Sequence, residues 1–430
     1  MLLAGTALAQ SEVYGPPVPP DLQQQAAPGA AGEAMAIDDP AAIPDGLAQA
    51  ASRAVRTYPS IRAGEAAIRA SGADIRAARW QRFPSVLVEG RTFSDRSGNP
   101  DATVTVNQPL WTGGSISATV QRAQALQRRA EAQLAETVND IALRLLSAYY
   151  EIARGARREA ILRESLAEHQ RLVESMARRV EQEVSPRSDL DLAISRTAQV
   201  QQDLSLTVAQ RYAAQQRFAE LVGDANADPG PVPAYSPQLH HPSTEGAVAQ
   251  AIACDPTRQR FQAEAEVATA ERRIAEGEIL PSLSAQYSRS EVFGDRVGLV
   301  LRAQTNGGLS PLAAAQGARL RQQASQLQIA TAERELRERI IVDVVENSTS
   351  RARIESGGAA ARSSANVTES FMRQFVTGRR TWLDVMNAVR ESNAAQIGLA
   401  ESETSAMASA ARLLLRTCQW RPDLTGPVEQ

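Results

Sequence analysis

Apolar residues recur at helical spacing along most of this chain, and at two places the pattern changes to that of short strands. From about Ser115 to Glu183 the positions Leu134, Val138, Ile141, Leu145, Tyr149 and Ile152 follow intervals of 4, 3, 4, 4 and 3. That is the seam of a coiled coil. Roughly 70 residues at about 1.5 Å each predict a rod about 100 Å long. Pro186 and Ser188 mark a turn, and a helix of about half that length is expected over Asp189–Val222. Before the rod, 47–82 reads as helical with Pro59 interrupting early. Pro84 ends it, and Ser85–Ser94 and Ala102–Trp111 are strand-like on either side of the turn-prone DRSGNPD.

The second half repeats this plan. A helical stretch at 247–279 is broken by Pro281 as Pro84 breaks the first, 197 positions on. Strand-like Ser282–Ser290 and Arg296–Ala303 follow, then Gly307-Gly308 and a second long helix from about Pro311 to Val376. RQQASQL at 321–327 matches RRAEAQL at 128–134 with an offset of 193, which is read as holding to the end of the repeat. Landmarks in register over so long a span indicate a duplication. The expected layout is a signal-peptide remnant at 1–9 and a disordered Pro/Ala-rich tail at 10–46. A first repeat at 47–222 carries a β-hairpin at 84–111 and a tip at 184–190. A Pro-rich connector at 223–244 leads to a second repeat at 245–416, with hairpin 281–303 and tip 376–383, and 417–430 is a C-terminal tail. Gly357-Gly358 inside the second rod is read as a bend or a close helix approach.

Both rods end in a helix turn: VSPRSDLDLAISR at 184–196 and FVTGRRTWLDVMNAVR at 375–390. Gly378 suits the left-handed position that ends a helix, and a Thr can cap the next one. In this reading Asp191 lies where Asp384 lies in the second copy. Helix turns are the surface with which such rods can meet a partner end to end, so Ser185, Pro186, Arg187, Thr377, Gly378 and Arg379 are the candidate contact residues.

Composition narrows the class. The formal net charge of −3 does not suit a nucleic-acid binder. No Lys occurs, aromatic residues make up 4 %, and Ala, Arg, Gln and Glu dominate, as in long helices. MLLAGTALAQ resembles the apolar core and small-residue cleavage site of a secretory signal, and no cysteine follows it to carry a lipoprotein anchor. No run of about 18 apolar residues is present, so no membrane-spanning helix is expected. The two cysteines, Cys254 and Cys418, fall near mid-rod in the duplicated layout, and in an oxidising compartment a disulfide or two free thiols are both open. No catalytic constellation, cofactor motif or metal-ligand spacing stands in a supporting context; the three histidines, His169, His240 and His241, are scattered or lie in the connector.

Two hairpins provide four strands with unpaired edges, and closing a barrel from several copies would remove them. QPLWTGG at 108–114, the duplication, and TGRRTWLDVMNA at 377–388 resemble the TolC-like family of outer-membrane efflux and type I secretion channels. The resemblance implies a mainly α fold with a membrane β-barrel portion. It further implies a homotrimer whose 12-stranded barrel sits in outer-membrane lipid and continues as a periplasmic coiled-coil tunnel. The implied partners are a periplasmic adaptor (membrane fusion protein) and an inner-membrane ABC or proton-driven transporter; no cofactor is implied. By position, Asp384 resembles an aspartate of the ring that constricts the periplasmic aperture, and Asn387 stands at the next ring position, where an amide makes the constriction less acidic. Arg380 and Asp191 match positions linked by charge pairing in the closed state, and Phe375 stands where a tyrosine is found. The expected function is a passive export conduit, favouring type I protein secretion over small-molecule drug or metal efflux. A periplasmic coiled-coil scaffold or adaptor without a pore is the alternative from another class.

Overall fold

The computed structural model describes residues 43–91, 101–236, 243–290, 294–303 and 308–423. The expected signal remnant, nearly all of the expected tail at 10–46, His240-His241 and Gly307 lie outside these residues.

Helix α1 (Asp45–Thr57) leads into α2 (Pro59–Trp80), strands β1 (Ser85–Arg91) and β2 (Asp101–Trp111), and the 67-residue helix α3 (Ser115–Glu181). Helix α4 (Arg187–Val222) returns. The second half follows with α5 (Thr244–Cys254), α6 (Pro256–Gly277), β3 (Ser282–Ser290), β4 (Gly294–Arg302), the 67-residue α7 (Ser310–Val376) and α8 (Trp382–Arg416). The stretch at 247–279 is therefore two helices, where the periodicity predicts one. The ring of Pro256 forces Asp255 out of helical geometry, to ψ 124°, and Asp255 becomes the cap of α6 by accepting a 2.7 Å bond from the Arg258 N–H.

The duplication is exact in the two long helices and the starts of their returning helices, but its offset there differs from the sequence reading. α3 and α7 begin at Ser115 and Ser310 and end at Glu181 and Val376, while α4 and α8 begin at Arg187 and Trp382. Each pair is 195 positions apart, not 193. Burial keeps the same register: Val120 with Ala315, Ala123 with Ala318, Ile141 with Leu336, and Leu145 with Ile340 are all buried. A two-residue slip turns a helix by about 200°, so the smaller offset would exchange inner and outer faces.

The four strands form one antiparallel sheet in chain order. Its register sorts most side chains onto two faces, with Gln108, Arg289 and Asp295 as exceptions on the apolar face and Leu87 and Val300 on the polar one. Leu283, Ala285 and Tyr287 lie opposite Leu301, Leu299 and Val297, and Val106 pairs with both Tyr287 and Val86. With Val88 and Val104 these residues make one face apolar. The other face carries Ser85, Thr103, Thr105, Asn107, Ser282, Ser284, Gln286 and Ser288. A bulge between Pro109 and Trp111 leaves the sheet just before the turn into α3. There Gly113, at φ +60°, passes against α6 so closely that a Cβ would lie 2.6 Å from the Gly277 carbonyl oxygen.

Packing between the helices relies on small residues. The main buried cluster joins α1, α3, α4 and α8 around Leu47, Leu145, Phe218 and Met407, with Ala51, Ala54, Ala142, Ala214 and Ala411 filling the seams. Gly357 lies 3.7 Å from the Leu399 Cα by its would-be Cβ, while α7 continues unbroken, so it marks a close helix approach. The two repeats are laced by Arg122–Glu271 (3.0 Å), Arg128–Glu266 (2.6 Å) and Arg260–Glu136 (2.7 Å) between α3 and α6. Near the other end of α8, buried Asp343 on α7 accepts from Arg412 (2.9 Å) and pairs with Arg416.

Candidate aperture at the helix tips

Both long helices end in the same backbone motif. At the end of α7, the Arg379 N–H donates to the Gln374 carbonyl (2.9 Å) and the Gly378 N–H to that of Phe375 (3.0 Å), with Gly378 at φ +74°. At the end of α3, Val184 donates to Arg179 (2.9 Å) and Glu183 to Val180 (3.0 Å). These are Schellman closures, whose bridging residue must be left-handed. In the first tip that residue is Glu183, at φ +58°. A non-glycine residue in this conformation costs about 1–2 kcal/mol. Glu183→Gly is expected to raise stability by about 1 kcal/mol, less the extra freedom glycine has in the unfolded chain. A higher denaturation midpoint for the variant would confirm it, and a lower one would show that the Glu183 side chain holds the tip.

The starts of the returning helices differ. Thr381 and Asp384 form a capping box at α8: the Asp384 N–H donates to Thr381 Oγ1 (3.3 Å). The Asp384 carboxylate accepts from the Thr381 N–H (3.3 Å) and hydroxyl (2.8 Å). Pro186 occupies the same cap position of α4 and offers no side-chain acceptor. Counted from these caps, the counterpart of Asp384 is Asp189, third residue of α4, and not Asp191, which points outward two residues later.

Arg380 packs on its own side of the tip. Within the chain it does not meet Asp191. Its guanidinium lies 3.9 Å from Asp384, donates to Gln374 Oε1 (3.3 Å) and stacks 4.2 Å over the Phe371 ring. Asn387 is exposed one turn beyond Asp384. Phe375 is buried, 5.4 Å from the Trp382 ring, in a cluster with Leu172, Met176, Ala193, Val385 and Val389. It is a packing residue of the tip, joining α3, α4, α7 and α8. Of the candidate contact residues, Pro186, Arg187, Thr377, Gly378 and Arg379 are exposed and Ser185 is half-buried. Neither Arg187 nor Arg379 pairs with a carboxylate among the described residues.

Two residues that sequence reasoning passed over hold this end together. Arg179 lies 4.7 Å over the Phe375 ring and donates to Ser185 Oγ (3.3 Å), bridging the first turn to the second. Trp382 starts the apolar stripe Trp382, Val385, Met386, Val389, whose 3-4-7 spacing is legible in the sequence. Above the tips, Thr368 on α7 donates to the Ala388 carbonyl (3.0 Å), and Asn393 on α8 donates to Ser165 on α3. His169 is buried beside them, its Nδ1 2.8 Å from the Ser165 carbonyl oxygen. Cys254 and Cys418 are joined in a disulfide. No cluster of three metal-ligating side chains occurs among the described residues, and no described helix is long and apolar enough to cross a membrane.

Two 67-residue helices, each about 100 Å long and paired with a returning helix, thus run between a two-faced sheet at one end and tight helix turns at the other. Residues 50–224 match the model of the outer membrane efflux protein family. No curated protein matches the sequence. The outer-membrane channel OprN superposes with a TM-score of 0.77 over 88% of this chain and 90% of its own, at 18% identity. VceC from Vibrio cholerae gives 0.74 over 86% and 95% at 19%. The open state of MtrE from Neisseria gonorrhoeae gives 0.72 over 88% and 91% at 13%. The first repeat thus matches the outer membrane efflux protein family, and the fold is shared with these outer-membrane channels over most of the chain.

Proposed function

We propose that the chain is the outer-membrane component of a tripartite export system, a homotrimer that conducts cargo passively from the periplasm to the exterior. The observation that carries this reading is the two-faced sheet. Four strands that are apolar on one face and polar on the other have no stable place alone in water or lipid. Three copies closing a 12-stranded barrel bury every edge and turn the apolar face to lipid. The alternative of a soluble scaffold or adaptor leaves the row of Val86, Val106, Tyr287, Val297, Leu299 and Leu301 facing water. Heat-modifiable trimer migration with outer-membrane fractionation tests the reading, and a soluble monomer would overturn it.

The tunnel ends at the tips, where a periplasmic adaptor and an inner-membrane transporter would engage Ser185, Pro186, Arg187, Thr377, Gly378 and Arg379. With three copies, Asp384 and its counterpart Asp189 supply six carboxylates around the opening, with Asn387 beside them. Asp384→Asn is expected to weaken divalent-cation block of the reconstituted channel while preserving the cap through the amide oxygen. Unchanged block would restrict Asp384 to its capping role.

Two cargo classes each have one observation behind them. The TWLDV tip sequence favours type I protein secretion, served by an ABC transporter. The family description favours small-molecule efflux. Deletion of the gene separates them: loss of a large secreted protein supports the first, and hypersensitivity to drugs or metals the second.

A further inference from the structure

The end of α2 carries an exposed cluster that the channel reading leaves without a role. Arg76, Arg79 and Trp80 fall at helical spacings of three and four on the exposed side of α2, beside the buried Ile75 and Ala78, and Phe83 follows in the turn after the helix. Arg82 follows the helix. Trp80 and Phe83 are 67% and 56% exposed, and their rings lie 4.9 Å apart. None of the three guanidinium groups pairs with a carboxylate among the described residues. Asp74, the carboxylate on this stretch of α2, pairs with none of them. Strand β1 begins at Ser85, two residues beyond Phe83.

The duplication supplies an internal control. At the matching positions of the second repeat, 197 residues on, Arg79 is replaced by Glu276, Arg82 by Ile279 and Phe83 by Leu280. There Arg273 alone keeps its charge without a carboxylate partner among the described residues. Glu276 is bound by Arg272 (2.8 Å) and Arg319 (3.0 Å), and Arg273 donates to Gln121 (2.7 Å). The architecture therefore requires neither a cluster of three arginines without carboxylate partners nor stacked aromatics where a helix meets the sheet.

We infer that Arg76, Arg79 and Arg82, with Trp80 and Phe83, form a site for the phosphate headgroups of anionic phospholipids in the periplasmic leaflet. The inference rests on the barrel reading above, which puts the helix-proximal end of the sheet at that leaflet. Amphipathic aromatic rings settle at the headgroup level of a bilayer, and arginines there extend their charge to the lipid surface. Each cation near an anionic surface contributes about a fivefold gain in affinity, so the cluster has a strong preference for anionic over zwitterionic lipid.

The test uses the full-length trimer in vesicles of phosphatidylcholine with phosphatidylglycerol, one lipid at a time carrying brominated chains. Greater quenching of tryptophan fluorescence by brominated phosphatidylglycerol is expected, and the triple variant R76Q/R79Q/R82Q should lose that preference while conductance stays unchanged. The lysine set R76K/R79K/R82K should retain most of it, and Arg273→Gln should leave it intact. Equal quenching by the two lipids in a protein that inserts and conducts would overturn the lipid site and leave the channel reading standing. Failure of the unmodified protein to insert or conduct would overturn the channel reading itself, and the lipid site with it.

Discussion

Leu299→Arg is expected to abolish assembly of the protein in the outer membrane. Leu299 stands near the middle of β4, opposite Ala285, on the apolar face of the sheet. An arginine at the midplane of a lipid-facing barrel surface costs about 2–4 kcal/mol, and a trimer would carry three. Outer-membrane fractionation and the loss of heat-modifiable trimer would register the effect. Gln286→Arg provides the contrast, because Gln286 lies on the polar face opposite Gly298. That variant should assemble and alter conductance. Normal assembly of Leu299→Arg would mean that this face does not meet lipid.

Trp382→Ala should be the most damaging single change at the tips. Truncating a large buried aromatic costs about 3–5 kcal/mol, with the spread set by how far the cavity collapses. Here the lost contacts join four helices, since the Trp382 ring meets Phe375 from α7 and shares a cluster with Leu172 and Met176 of α3 and Ala193 of α4. The variant should therefore unfold at lower denaturant and, once reconstituted, dwell longer in high-conductance states as the two turns part. Trp382→Phe removes a buried indole N–H that has no partner among the described residues, and it keeps the ring. It should cost far less. Equal damage from both substitutions would place the function of Trp382 in its nitrogen.

The architecture was legible in the sequence because it depends on spacing: coiled-coil seams, Pro-bounded strands and repeated landmarks all survive in one dimension. The register between the repeats was not. RRAEAQL and RQQASQL align well at an offset of 193 because Ala, Gln and Arg recur throughout the chain, so the match holds little information. The glycine that would have anchored the true alignment is absent from the first tip, where Glu183 takes the left-handed conformation. The misplacement of Asp191 as the counterpart of Asp384 follows from that substitution. The sheet was obscured for another reason. Read singly, the strands alternate imperfectly, with Leu87 on the polar side and Gln108 on the apolar side. Once the register aligns four strands, each exception is outnumbered by its neighbours. Phe375 and Arg179 escaped because their roles come from contacts between helices that are distant in the chain.

The disulfide has a consequence for the covalent path of the chain. Cys254 lies at the joint between α5 and α6 and Cys418 just beyond α8, a separation of 164 residues. The bond thus encloses α6, β3, β4, α7 and α8 in one covalent ring, while the first repeat remains an open thread. A protease that nicks the second tip leaves both fragments attached until a reductant is added. A nick in the first tip releases a fragment as soon as the fold is lost. Denaturing electrophoresis after limited digestion, with and without reductant, would read the two repeats apart by their topology alone.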